Sequence, residues 1–129
     1  MTYLTQSIKA LGLAVALVLP ALAYAAGEPA MVTDGVLTDH KGMTLYTFEK
    51  DKDGKSACNA KCAENWPPLM AESAAMPSGH WTVITRDDGS SQWAYDGKPL
   101  YTFVRDTKAG EMTGDGLMEG AWKVAKPKK

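Results

Sequence analysis

Histidine and cysteine are scarce. The 129-residue chain has two of each, His40 and His80, Cys58 and Cys62. That scarcity removes most catalytic signatures. No His-Glu-x-x-His, Gly-x-Ser-x-Gly, phosphate loop or dinucleotide fingerprint occurs, so an enzyme is the least favoured class. Cys-x-x-Cys-His is missing, and with it covalent haem attachment. Charge of one sign is also missing. Lys9 is the single charged residue of the first 25, and the rest holds 13 basic and 15 acidic residues. That balance favours neither nucleic acid nor an anionic membrane as partner. "DKDG" (51–54) lacks the glycine at position six and the later glutamate of a calcium loop, and reads as a turn.

The one long apolar run is "ALGLAVALVLPALAYA". It follows Lys9, is broken by Pro20 and ends in the small-x-small site Ala23-Tyr24-Ala25. This is the layout of a secretory signal peptide over 1–25. It is shorter than the roughly 20 apolar residues of a membrane span. The expectation is an exported protein, periplasmic or secreted, with no stable membrane anchor after cleavage. Residues 26–129 have the length of a single domain.

What remains is rich in strand signals. "MTLYTFE" (43–49) alternates, with Leu45 on one side and Tyr46 and Phe48 on the other. "WTVITR" and "SQWAY" read as a hairpin over 81–95 across Asp87-Asp88-Gly89. Asp96-Gly97 turns the chain into "KPLYTFV". "AWKVA" (121–125) is a last short strand. "SACNAKCAEN" (56–65) has helical spacing, with Ser56 or Asn59 as cap, and Pro67 and Pro68 stop it. The segment 106–116 reads as a glycine-rich loop. The fold class expected is mostly β (small α+β): two diverged hairpin or meander repeats and one short helix carrying the cysteines.

The repeat is visible by eye. "GMTLYTFEKD" from Gly42 returns as "GKPLYTFVRD" from Gly97, and "GHWTV" (79–83) is echoed by "GAWKV" (120–124). Two units follow, about 32–84 and 90–125. Such units pack together because neither buries its apolar face alone. If one face of the units stays open, Tyr46, Phe48, Trp66, Tyr101 and Phe103, with Asp51 and Asp106, form a candidate binding surface for an unknown envelope or extracellular ligand. If both faces are covered, the rings are core.

Cys58 and Cys62 admit three readings. Four residues apart on a helix they are within disulfide reach, and an export signal favours the bond. A dithiol exchanging with partner disulfides is a second reading, though Cys-x3-Cys is not the usual redox spacing. A soft metal such as copper, bound by Cys58 and Cys62 with His40, His80 or a methionine, is the third. No cofactor is expected on the first reading.

"YTFEKD" and "YTFVRD" fit a Tyr-x-(Phe/Trp/Tyr)-x-x-Asp pattern. Together with "CNAKCAENWPPL" (58–69) and "WAYDGKPLYTF", they make the chain resemble a bacterial family of secreted repeats and predicted lipoproteins of unknown function. The resemblance covers nearly all of 26–129. It implies export and an internal repeat, and it names no ligand. The lipidation cysteine of the lipoprotein members is missing.

Overall fold

The computed structural model describes residues 28–72 and 74–128. The expected signal peptide lies outside them. The described residues form seven strands and two short helices. They are β1 (Met31–Thr33), β2 (Val36–Thr38), β3 (Tyr46–Phe48), α1 (Lys61–Asn65), β4 (Trp81–Thr85), β5 (Ser91–Tyr95), β6 (Lys98–Pro99), α2 (Leu117–Gly120) and β7 (Trp122–Val124).

Turn chemistry sets the hairpins. Asp34 and Gly35 join β1 to β2, and Asp96 and Gly97 join β5 to β6, each pair with positive φ at both residues. That is the type I′ geometry whose twist matches antiparallel strands. β4 and β5 pair in register from Trp81–Tyr95 to Thr85–Ser91. β3 pairs with β7, Phe48 opposite Trp122. The expected strands, hairpin and mostly β class are therefore present.

The two halves obey one hydrogen-bond scheme. In the first, Leu45 N–H donates to Leu37 O, Leu37 N–H to Ala125 O, and Ala125 N–H to Leu45 O, all within 2.8–3.0 Å. In the second, Leu100 N–H donates to Trp93 O, Trp93 N–H to Leu69 O, and Leu69 N–H to Leu100 O, within 2.9–3.1 Å. Three segments thus close a ring twice. In each ring the third segment comes from the other half: 122–125 completes the first, 66–69 the second. The centre is the reciprocal pair of Tyr46 and Tyr101, whose backbones exchange N–H···O bonds of 2.7 and 3.0 Å.

This scheme corrects the repeat boundary. The counterpart of Trp122 is Trp66, not Trp81. Glu49 N–H donates to Ala121 O, and in the same place Val104 N–H donates to Asn65 O. The first unit therefore ends at Leu69, and Trp81 opens the second. The Gly-x-Trp-x-Val echo at 79–83 and 120–124 marks no equivalent position.

Both faces of the central strands are covered, giving two cores. One holds Tyr46, Phe48, Cys58, Trp66, Tyr101, Phe103, Ala121 and Trp122. The other holds Ala30, Leu37, Leu45, Trp81, Leu100 and Ala125, with Leu69, Trp93 and Tyr95 partly covering it. The period-two alternation of 43–48 delivers Leu45 to one core and Tyr46 and Phe48 to the other.

The expected helix over 56–65 is shorter. α1 spans five residues and has no side-chain cap. Ser56 and Asn59 face other duties: Ser56 Oγ bonds Tyr101 Oη at 2.6 Å, and Asn59 lies against Arg86 and Asp87. Cys62 sits on α1 while Cys58 precedes it. α2 follows the glycine-rich loop and is one irregular turn with left-handed Met118 and Glu119 inside.

Candidate functional site

The motif residues meet across the two halves. Tyr46 Oη donates to Asp106 Oδ2 at 2.6 Å, and Tyr101 Oη donates to Asp51 Oδ2 at 2.7 Å. Each aspartate also holds its own loop. Asp51 Oδ1 accepts from Ala57 N–H, and Asp106 Oδ1 accepts from the Thr113 amide and hydroxyl. The spacing Tyr-x-Phe-x-x-Asp thus serves two bonds: tyrosine reaches the partner's aspartate, and aspartate returns the favour. Burial pushes both phenols well above their ordinary range, and the neighbouring carboxylates add to it. Burial also raises the Asp51 carboxyl, against the Ala57 N–H, the Tyr101 hydroxyl and the Arg86 charge.

The rings form a column. Phe48 stacks on Trp122 (4.2 Å between centroids), Trp122 on Trp66 (3.8 Å), and Trp66 on Phe103 (4.0 Å). Tyr46 meets Trp66 edge to face, and Tyr101 meets Trp122 in the same way. Gly114 abuts the column, and a Cβ there would lie 2.6 Å from Trp66. Trp122 Nε1 is buried without a hydrogen-bond partner among the described residues. Tyr46 and Tyr101 are fully buried, and Phe48, Trp66 and Phe103 are within 8 % of it. The candidate binding surface over Tyr46, Phe48, Trp66, Tyr101, Phe103, Asp51 and Asp106 is corrected accordingly. The five rings are interior, and the two carboxylates are engaged in holding the halves together.

Cys58 and Cys62 are joined by a disulfide, with Cα atoms 5.1 Å apart. Cys58 is fully buried. Its carbonyl accepts from Arg86 Nη2 at 2.6 Å, and Arg86 Nη1 donates to Gln92 Oε1 and Ser56 Oγ. Arg86 is itself buried, with no carboxylate within ion-pair distance among the described residues. Tyr101 has one hydroxyl proton and gives it to Asp51, so Ser56 donates to Tyr101 and accepts from Arg86 and the Cys58 N–H. The chain Asp51–Tyr101–Ser56–Arg86 links a carboxylate to a buried cation through two hydroxyls. Arg86 and Gln92 left no mark in the sequence beyond their place on strand faces that proved inward.

A different surface stays open. The inward residues of β5 are Gln92 and Ala94, which leaves Trp93 and Tyr95 half-covered. They line a groove of about 820 Å3 together with Trp81, His40, His80, Met70, Met76 and Glu72. His80 Nδ1 lies 2.6 Å from Asp96 Oδ1, and His40 Nε2 lies 2.9 Å from the Glu28 carbonyl. Both acceptors lack a proton to give, so in the neutral rings His80 Nε2 and His40 Nδ1 keep free lone pairs. The two histidines thus share one groove, and the cysteines named with them do not line it. Among the described residues no three His, Cys, Asp or Glu side chains group as a metal site. Trp81 and Trp93 were visible as aromatics in the sequence. Met70 and Met76 were two of several scattered methionines, and only the fold brings them to one place.

No helix among the described residues is long and apolar enough to cross a membrane. No curated protein and no solved structure matches the chain. One family model does, twice, over residues 30–70 and 82–126. The two matched stretches end and begin on either side of the 71–81 connection, as the hydrogen-bond rings divide the chain. The protein belongs to the family described as a secreted repeat of unknown function.

Proposed function

We propose that the protein is an exported, non-enzymatic binding module of the periplasm or the extracellular space, with its ligand site in the groove beside Trp81, Trp93 and Tyr95. The observation that carries this reading is the half-covered aromatic face of β5. A small domain ordinarily turns such rings inward, and here Gln92 and Ala94 take that place. Concave surfaces that join aromatic walls to a few polar groups are the usual form of a ligand site. The motif rings, in contrast, are engaged with one another and offer nothing to a ligand.

A ligand-observed NMR screen of sugars, amino acids and short peptides tests the reading. Hits mapped by amide shifts are expected at 69–81 and 93–95, and Trp93→Ala is expected to weaken them about tenfold. Hits that map instead to the loops at 51–58 and 106–115, or that persist in Trp93→Ala, would sink it.

A further inference from the structure

The charged groups of the groove are mostly acceptors. Its carboxylates are Glu28, Asp39 and Glu72, and Lys41 is the one lysine or arginine among the described residues that line it. Asp39 is engaged with its own loop, where Oδ1 accepts from the Lys41 and Met43 amides. Glu28 and Glu72 are exposed, and Glu28 Oε1 accepts one long bond, 3.4 Å from Trp81 Nε1. A wall of acceptors with an excess of negative charge selects a ligand of donors and positive charge. Register then sets the length of that ligand. Trp81 lies opposite Tyr95, so Glu28 stands at the end of β5, on its β4 side. Ala71 N–H donates to Ser91 O, so the chain reaches Glu72 at the start of β5, on its other side. From Ser91 to Tyr95 the strand runs about 13 Å. Between the two ends lie the half-covered rings of Trp93 and Tyr95. Aromatic faces receive both methylene groups and organic cations. A single ion cannot meet both carboxylates, and an elongated ligand with a charge at each end can.

We propose that the groove binds a linear polyamine, laid diagonally across β5, with its terminal ammonium groups at Glu28 and Glu72 and its methylenes on Trp93 and Tyr95. This rests on the groove being the ligand site and names the class of ligand it takes.

Diamines are the probes, because their length varies at constant charge. The exported chain, disulfide intact, is titrated with a four-carbon and a ten-carbon diamine while amide shifts are followed by NMR. The long diamine is expected to shift 69–81 and 93–95. The short one cannot reach both carboxylates and is expected to bind at least fivefold more weakly. Glu28→Gln and Glu72→Gln are each expected to weaken the long diamine about threefold, the loss of one exposed ion pair, and the double variant about tenfold. Glu64 is an exposed carboxylate on α1 that does not line the groove, and Glu64→Gln is expected to keep full affinity. The three glutamates are exposed, and an unchanged melting curve checks that each variant folds. Equal affinity for the two diamines, or an equal loss in Glu64→Gln, would mark an adventitious counter-ion and overturn the proposal. If the diamines fail while the ligand screen still maps to 69–81 and 93–95, the polyamine assignment falls alone. If neither probe reports on the groove, both readings fall.

Discussion

At the scale of single residues, the two tyrosine–aspartate bonds look alike but are not equally replaceable. Asp106 is buried, and among the described residues Tyr46 is the one donor to its Oδ2. Asp51 is half-buried and can take up water if Tyr101 withdraws, and Ser56 can turn its hydroxyl to the Cys58 carbonyl, 3.4 Å away. Tyr46→Phe should therefore destabilise by about 1–3 kcal/mol, the cost of an unsatisfied buried acceptor, and Tyr101→Phe by less. Urea unfolding of the two variants checks the order. The same phenols govern the alkaline limit. Their folded pKa values lie above the unfolded value of 10.0, so the stability they contribute is complete below that pH and is lost as pH rises past it. Each should remove about 1.4 kcal/mol per pH unit above the unfolded value. Phenolate absorbance of Tyr46 and Tyr101 should appear together with loss of near-UV circular dichroism. Ionisation of both in a still-folded chain would contradict this.

At the scale of elements, the Cys58–Cys62 loop is anchored twice, by the disulfide and by Arg86. A bond closing so short a loop contributes roughly 2 kcal/mol through the unfolded state. Reduction should lower the melting temperature without unfolding the domain, because the Arg86 bonds to Cys58, Ser56 and Asn59 remain. Thermal melts with and without reductant test it, and collapse of the fold on reduction would contradict it. The elements themselves were largely legible. Alternation marked 43–49, and Asp-Gly pairs marked the turns at 34–35 and 96–97. The helix was legible but its start was not, because Ser56 and Asn59 are engaged with Tyr101, Cys58 and Arg86 instead of capping it. Nor was the face of β5. Trp93 and Tyr95 are the apolar set on that strand and alternation alone would bury them, yet buried Arg86 needs Gln92 as a partner and draws that residue inward.

At the scale of the whole molecule, the repeat is an interlock. Each half ends in a segment that completes the ring of the other, and the column Phe48–Trp122–Trp66–Phe103 alternates between halves at every step. The repeat itself could be read from two copies of Leu-Tyr-Thr-Phe-x-x-Asp. Its crossing could not, because matching residues announce equivalent positions and not which copy lies against which. For the same reason the sequence left open whether the aromatics were shelf or core. The groove was hidden as well, since His40, Met70, Met76 and His80 are spread over 41 positions and only the fold joins them.

Fragment complementation tests the interlock most directly. The chain is divided after Met76, which is exposed, and the pieces 26–76 and 77–129 are produced separately. Trp66 and Trp122 then lie on different pieces. Their stacked indoles, 3.8 Å apart, should give an exciton couplet in circular dichroism only when the halves are joined. The account predicts two unfolded pieces and a couplet that appears on mixing, with a cooperative melt. A cooperative melt from either piece alone would contradict it.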